Sequence, residues 1–296
     1  MKRYLLAALA VVAVVGGTAS PTAAAPPDPA VSTVEVRIPG LARVQVPVKD
    51  GRVTSEVRRN DAEGRTKLVI PAGFPAEQIP ASFPAPDGPV QEVTPVPACY
   101  LGRGGDEGVC YAHWPRYHWA NALASETRAF WVLDRAQAWE SSAIQDARNS
   151  WQSTYGPQVG GNWPRAAYYA QHEYDNQCPR NALWTGFGNY SFVTVCTTHD
   201  PLGYCGNVNA GGCAYLVGDP EAHNGLGWQP NIYITGGQAD PAIRHNVGLH
   251  ELGHTLSLGH RVCCGSVMHG TVSTPRQGFD SWDITLLRWR YNHVGD

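Results

Sequence analysis

The chain has 296 residues, of which 43% are hydrophobic and 16% charged, and its formal net charge is −3. A charge so close to zero gives no electrostatic basis for binding nucleic acid, so we expect no nucleic-acid partner. The apolar content is sufficient for a buried core in one or two folded units.

The first residues have the pattern of an export signal. Lys2 and Arg3 precede an apolar run of 12 residues, Tyr4 to Val15, and small residues follow up to Ala25. Such a run is too short to span a bilayer, and the charged start with the small-residue end is typical of a secretory signal peptide. We therefore predict a signal peptide over residues 1–25 and a secreted, extracellular protein with no membrane partner in its mature form.

Cysteine usage agrees with export. The chain has 8 cysteines, an even number, and none stands in a CxxC spacing. We therefore expect disulfides rather than a zinc ribbon or a redox pair. Proximity along the chain suggests three pairs: Cys99 with Cys110, Cys178 with Cys196, and Cys205 with Cys213. The adjacent Cys263 and Cys264 are expected to bond elsewhere.

Two segments follow the signal. Residues 26–70 contain apolar patterns of period two and an Asp50-Gly51 turn, which predict a small β-rich unit. Residues 71–97 contain 8 prolines and predict an extended linker. The β-rich unit is either a propeptide that is removed or an accessory domain that is retained, and no clear cleavage site decides between them.

Residues 98–296 alternate strand and helix patterns. A first strand is predicted at 127–133, and the next helix has an apolar stripe that recurs every four residues. The stripe consists of Trp139, Ala143, Ala147 and Trp151. Further strands are predicted around 167–170, 191–196, 213–217 and 231–235. Asp240 and Pro241 then begin a second helix, with the proline in its first turn.

The second helix contains the sequence HELGHTLSLGH, from His250 to His260. Residues four apart lie on one helix face, so His250 and His254 direct two imidazoles to one point, at a separation that suits one Zn²⁺. Glu251 lies at the edge of that face, where it reaches a metal-bound water rather than the metal. With His260 as third ligand, a fourth position remains for water, which is the pattern of a catalytic zinc site.

Two other interpretations compete with this one. The histidines can be satisfied core residues of a buried helix. In a rival zinc scheme, a glutamate from a later helix is the third ligand, but no Glu follows Thr255 in the chain. The carboxylates that remain downstream are those of Asp280, Asp283 and the terminal Asp296. His260 is therefore the better third ligand.

Met268 lies 8 residues after His260, within CCGSVMHG. An HExxH motif followed by a third His and then a Met in a turn resembles the metzincin zinc peptidases, and Ser266-Val267-Met268 is most similar to their matrixin branch. The closing FDSWDITLLRWRY resembles the last matrixin helix, with Asp283-Ile284 and Tyr291 in matching places. The resemblance covers about the last 50 residues specifically and about 130 before them in layout only.

The resemblance implies an α+β fold over residues 98–296: a twisted mixed β-sheet with an active-site helix and a C-terminal helix, preceded by the β-rich unit. It also implies a monomeric zinc endopeptidase whose partner is an extended peptide or protein substrate. In this scheme Glu251 is the general base and Met268 forms an apolar turn under the metal. The substrate docks on an edge strand that contains Gly212, Cys213, Ala214 and Tyr215.

The chain departs from the family pattern in two places. Ser257 stands where the family usually has glycine, so the turn that brings His260 back is strained there unless Gly259 makes it instead. His269-Gly270 follows Met268, where some metzincins carry a tyrosine that approaches zinc. We therefore assign no tyrosine ligand.

Several alternatives stay open. A second Zn²⁺ or a Ca²⁺ is the less favoured interpretation of polar residues in loops where matrixins hold structural metals, because the spacing does not match those motifs. These residues are His199, Asp200, Asp219, Glu221 and His223. A cysteine that latches the zinc of a zymogen is another option, although the matrixin latch motif is absent. The chain is alternatively an exported binding or adhesion module with a vestigial zinc site, or a zinc hydrolase of a non-peptide amide.

Overall fold

An eight-stranded mixed β-sheet forms the centre of the fold in a computed structural model of the chain. The structure describes residues 31–39, 41–83, 90–92, 96–97, 129–161, 163–171, 182–184, 192–216, 230–236, 240–256, 258–261, 265–271 and 277–292. The predicted signal peptide, residues 1–25, lies outside these ranges. Within them, no helix is both long enough and apolar enough to cross a membrane.

The elements are numbered along the chain. The strands are β1 (Ser32–Val36), β2 (Val44–Lys49), β3 (Arg52–Val53), β4 (Val57–Asn60), β5 (Thr66–Ile70), β6 (Val90–Glu92), β7 (Val96–Pro97), β8 (Ala129–Asp134), β9 (Arg165–Ala170), β10 (Ala182–Trp184), β11 (Phe192–Thr198), β12 (Gly212–Leu216) and β13 (Asn231–Thr235). The helices are α1 (Ala138–Ser150), α2 (Gly156–Val159), α3 (Pro201–Cys205), α4 (Pro241–Thr255) and α5 (Ser281–Asn292). The predicted mixed α+β class is confirmed.

The main sheet has the order β4-β5-β9-β8-β11-β13-β12-β7. Its central strands β9, β8, β11 and β13 run parallel, and antiparallel pairs flank them on both sides. Parallel neighbours need a crossover connection, which α1 provides between β8 and β9. Every residue of β8 and of β13 is buried, because both faces of the sheet are covered.

Helices α1 and α4 cover one face of the sheet. Phe130 and Val132 of β8 share a buried cluster with Ile144 of α1 and Leu249 of α4. The two helices approach closely at Gly248, where a Cβ atom would lie 2.6 Å from the carbonyl oxygen of Ala143. A larger residue at 248 would force α4 away from α1, so this glycine sets the depth at which α4 lies.

Residues 31–83 cover the opposite face of the sheet. The indole Nε1 of Trp131 in β8 donates a hydrogen bond to the carbonyl oxygen of Gln78 at 2.8 Å. Phe83 stacks on Tyr169 of β9 with 4.1 Å between ring centroids, and it meets Trp131 edge-on at 4.9 Å. The β-rich character predicted for 26–70 is present in the described part, but β4 and β5 belong to the main sheet, since β5 pairs with β9.

The predicted Pro-rich linker, residues 71–97, is folded where it is described. Phe74, Ile79 and Phe83 are buried between its prolines. Strand β6 pairs with β10, and β7 pairs with β12. The described part of this segment is therefore packed on the rest of the fold, through buried apolar side chains and through strand pairing.

Residues 31–83 should be needed for folding. A chain that begins at residue 98 lacks β4, β5 and the residues that pack on Trp131. Their loss would leave the apolar face of the sheet in water. We expect it to show no cooperative thermal transition by circular dichroism, whereas a chain that begins at residue 31 retains one. A truncated chain that melts cooperatively and elutes as a monomer would show instead that the segment is a removable propeptide.

Candidate metal centre

Helix α4 carries two of the three predicted ligands. Its start is fixed as the sequence predicts, because the Asp240 carboxylate accepts a hydrogen bond from the N–H of Ala242 at 2.7 Å and Pro241 occupies the first helical position. His250 and His254 lie one turn apart near the other end of the helix, and only 5% and 6% of their surfaces are exposed.

Backbone carbonyl groups orient both of these rings. The Nδ1 atom of His250 lies 2.7 Å from the carbonyl oxygen of Val267, and Nδ1 of His254 lies 2.8 Å from that of Leu258. A carbonyl oxygen can only accept, so Nδ1 carries the proton in each neutral ring and the lone pair is on Nε2. Both Nε2 atoms are thus prepared to donate electron density to a metal.

The Nε2 atoms of the three predicted ligands converge. The Nε2 atom of His254 lies 3.0 Å from Nε2 of His250 and 3.2 Å from Nε2 of His260. The Nε2 atoms of His250 and His260 are also 3.2 Å apart. In the described part of the chain, this is the one cluster of at least three His, Cys, Asp or Glu side chains with ligand atoms so close together. The Nε2 lone pairs of His250 and His254 repel each other at this distance unless a cation lies between them. The cluster is therefore able to hold a metal ion.

Burial keeps these imidazoles neutral. It lowers the pKa of His250 to about 4 and lowers the pKa of His254 well below its ordinary value. His260, which is more exposed, has a pKa lowered by partial burial and by the nearby His269. A neutral imidazole is the form that coordinates a metal, so protons compete weakly for this site near pH 7.

The third ligand comes from the loop after α4. Ser257 lies outside the described residues, and Gly259 does not adopt a positive φ, so the left-handed turn proposed for Gly259 is not present. The loop is held by backbone hydrogen bonds: Leu258 N–H donates to Gly253, and Arg261 N–H donates to Met268 at 2.8 Å. His260 therefore reaches the cluster without a left-handed residue at Gly259.

The predicted Met-turn lies directly against α4. Met268 is fully buried, and a Cβ atom added at Gly253 would lie 2.4 Å from its sulfur. The glycine of the HELGH motif is therefore required for this contact, next to His254. The turn also supplies the carbonyl of Val267 that orients His250. Sequence reasoning missed Val267 and Leu258, because every residue type has a carbonyl group and no side-chain signal marks these two.

Glu251 is a buried carboxyl group without a full set of partners. It is 4% exposed, and its Oε2 has no hydrogen-bond partner among the residues that the structure describes. Burial raises the pKa of Glu251 to about 8. Strand β12 passes beside it, since a Cβ atom at Gly212 would lie 3.0 Å from the Glu251 Cγ and Oε1 atoms. A side chain at 212 would therefore press against the Glu251 carboxyl group.

The predicted docking residues Gly212, Cys213, Ala214 and Tyr215 all lie in β12, and its inner side pairs with β13. Its outer side is free only in part, because β7 pairs with Tyr215 and Leu216. Tyr215 also donates its hydroxyl to the carbonyl of Tyr204 at 2.6 Å. Gly212 to Ala214, the part nearest Glu251, has no outer strand partner among the described residues.

The disulfide prediction is confirmed for Cys205 and Cys213, which tie α3 to β12. Cys196 is also disulfide-bonded, and its predicted partner Cys178 lies outside the described residues. The predicted pair Cys99 and Cys110 lies outside them too, as do Cys263 and Cys264. No described cysteine is free to latch the metal site.

The alternative metal ligands that the structure describes do not form a cluster. Asp200 caps α3 by accepting a hydrogen bond from Gly203 N–H at 2.8 Å, and it forms no ligand cluster with His199 in the described structure. Asp219, Glu221 and His223 lie outside the described residues. Of the downstream carboxylates, Asp280 and Asp283 face Arg261 instead of the histidines.

Comparison with known proteins adds no assignment. No protein-family model matches the chain, and a search of curated proteins finds no significant match.

The histidine cluster should bind one metal ion per chain. Purified protein loaded with Zn²⁺ and then dialysed is expected to retain about one equivalent by elemental analysis, and His254→Ala should lose it because two nitrogens remain. His199→Ala is the matched control and should retain the metal. Equal metal content in wild type and His254→Ala would contradict the assignment.

The stability of the metal-free protein should depend on pH because Glu251 is buried. Because the pKa rises from 4.5 in the unfolded chain to about 8 in the folded one, the folded state binds more protons between these values. Stability is therefore lost as pH rises through this window, by about 1.4 kcal/mol for each pKa unit. In urea unfolding of metal-free protein, the stability of Glu251→Gln relative to wild type should increase from pH 5 to pH 8. A difference that does not change with pH would show that Glu251 titrates normally.

Proposed function

We propose that the protein is a secreted zinc-dependent endopeptidase. The observation that carries the proposal is the meeting of three Nε2 atoms at 3.0–3.2 Å, in a cluster whose neighbour along α4 is a buried carboxyl group with an unpartnered oxygen. A tetrahedral zinc ion with bonds of about 2.0–2.1 Å keeps its nitrogen ligands about 3.3 Å apart, so the spacing fits zinc. Three protein ligands also leave one position open for the reaction.

The order of elements supports the metzincin resemblance. Along the chain, strand β8 and helix α1 come first, and several strands follow them. The proposed metal-binding helix α4, the Met-turn and the final helix α5 come next. We infer that residues 129–292 have the metzincin catalytic arrangement, with residues 31–83 as an additional part of the fold. The predicted export signal and the disulfide bonding of Cys196, Cys205 and Cys213 support action outside the cell.

Glu251 is the proposed general base. When bound, zinc lowers the pKa of a water molecule and polarises the scissile carbonyl. Glu251 takes the proton from the attacking water and then passes it to the leaving amine. Beside a bound cation, Glu251 would ionise more readily than its burial alone allows and would be available as the base at neutral pH. The neighbouring Gly212 leaves the space in which this carboxyl group meets water and substrate.

Strand β12 is the proposed docking strand. An extended peptide that pairs with the outer side of Gly212 to Ala214 would add a strand to the sheet. Because Gly212 lies against Glu251, a peptide on this edge would run directly past the general base. The pairing of β7 with Tyr215 and Leu216 limits the docking edge to these three residues.

Loss of the Glu251 carboxylate should separate metal binding from turnover. Glu251→Gln is expected to retain about one zinc per chain but to lose at least about 100-fold in kcat/KM on an unfolded protein such as casein, because a general base contributes that much or more. Asp146→Asn removes an exposed carboxylate of α1 and is the control that keeps full activity. Mass spectrometry of the products identifies the bonds that are cleaved.

Two outcomes would overturn this function. The first is undiminished cleavage by Glu251→Gln. The second is a wild-type protein that binds zinc but cleaves no member of a peptide library, which would favour a binding module or a hydrolase of another amide.

A further inference from the structure

The third ligand is held differently from the other two. The rings of His250 and His254 are oriented through Nδ1 by backbone carbonyls, and both residues belong to α4. His260 lies beyond the helix, and its Nδ1 has no hydrogen-bond partner among the described residues. Its position must therefore be set by the backbone on either side of it.

Arg261 is the residue that ties this backbone to the rest of the site. Its N–H donates to the carbonyl of Met268 at 2.8 Å, and it forms an isolated parallel bridge with His269. Its side chain turns toward the start of α5, where its Nη1 atom lies 3.0 Å from Asp280 Oδ1 and 3.8 Å from Asp283 Oδ1. Only 13% of the side chain is exposed. The guanidinium is therefore largely shielded, and its ion pairs are stronger than those of a surface arginine.

The two carboxylates are themselves fixed. Asp280 Oδ1 accepts hydrogen bonds from the N–H groups of Trp282 and Asp283, so it caps α5. The fully buried Asp283 accepts hydrogen bonds from the Ser266 hydroxyl and from the Asp280 N–H. Ser266 in turn accepts one from the N–H of Met268 at 2.9 Å. One network thus connects the start of α5 to the Met-turn and, through Arg261, to the third ligand.

We propose that Arg261 is a positioning residue for the metal site: its ion pair with Asp280 holds the backbone of His260 at the distance from α4 that lets the third imidazole complete the cluster. This inference rests on the proposed zinc site. The same network contains the turn whose Val267 carbonyl orients His250, so the pair couples two of the three ligands to α5. A ligand on a loop needs such a fixed anchor, because a displacement of a fraction of an ångström loosens coordination.

The test compares the affinity for Zn²⁺ alone, measured by competition with a chromophoric chelator, in four full-length variants. Arg261→Ala should weaken binding about 10- to 100-fold, as is usual for residues that orient metal ligands. Asp280→Asn keeps an oxygen that caps α5 but removes the charge that faces Arg261, and it should weaken binding about tenfold. Arg261→Lys should recover part of the loss, and Arg288→Ala, which removes an exposed arginine of α5, should bind zinc like wild type.

A spectroscopic readout separates positioning from general stability. The visible spectrum of the Co²⁺-loaded protein depends on the number and geometry of its ligands. Arg261→Ala and Asp280→Asn are expected to lose part of the intensity typical of a four-coordinate ion, while Arg288→Ala keeps it. The double variant Arg261→Ala with Asp280→Asn should bind no more weakly than Arg261→Ala alone, since the two residues act as one pair. If Arg261→Ala does not fold, Asp280→Asn and Arg261→Lys decide the question.

The outcomes distinguish this inference from the proposed function. Wild-type zinc affinity and Co²⁺ spectra in folded Arg261→Ala, or in both Asp280→Asn and Arg261→Lys if Arg261→Ala is unfolded, would overturn the positioning role and leave the peptidase proposal intact. Failure of the wild-type protein to bind Zn²⁺ or Co²⁺ would instead overturn the zinc site on which both depend.

Discussion

Two hydrogen bonds between imidazole and backbone determine what the site can do. Because carbonyl oxygens of Val267 and Leu258 each accept the Nδ1 proton of a histidine, the Nε2 lone pairs of His250 and His254 face one another. Without these bonds, either ring could take the other tautomer and satisfy its neighbour by an ordinary hydrogen bond. With them, the two rings of α4 present two electron donors with no proton between them, and His260 brings a third ring nitrogen within 3.2 Å of both, an arrangement that a bound cation would stabilise.

The remainder of the fold keeps these atoms in place. Helix α4 lies between the sheet and α1, with Gly248 permitting close contact with Ala143 and Gly253 permitting contact with Met268. The sheet is in turn buried on both faces, by helices on one and by residues 31–83 on the other. Residues 31–83, for which the sequence left open a removable propeptide or a retained domain, thus pack on the sheet that carries the candidate metal centre. Strand β7, which belongs to the predicted linker, pairs with one end of the strand on which substrate is proposed to dock.

Some of the site could be predicted from sequence because, on a helix, the spacing of two residues along the chain determines whether their side chains lie on the same face. A separation of four residues places His250 and His254 on one face of α4, and Asp240-Pro241 marks the start of that helix. His260 was predicted from its place six residues after His254 and from the lack of any Glu after Thr255, and Met268 from resemblance to a known family. The carbonyl groups that orient the rings could not be predicted, since they leave no signal in residue type.

The pairing of strands that are far apart along the chain could not be predicted either. The pairing of Leu68 with Tyr169 joins residues about a hundred positions apart, and a single sequence does not specify such partners. The prolines of residues 71–97 indicated an extended linker, but Phe74 and Phe83 among them are buried. In the same way, the sequence shows that Arg261 follows the predicted ligand His260. Its partner Asp280 can be identified only from the position of α5 in the folded structure.

X-ray absorption at the zinc edge tests the central claim most directly, because it reports the atoms bound to the metal in the protein itself. For the zinc-loaded chain, we expect a first shell of four light atoms at about 2.0–2.1 Å with the outer-shell scattering of three imidazoles. A shell that contains sulfur at about 2.3 Å, or fewer than three imidazoles, would contradict convergence of the histidines on one ion.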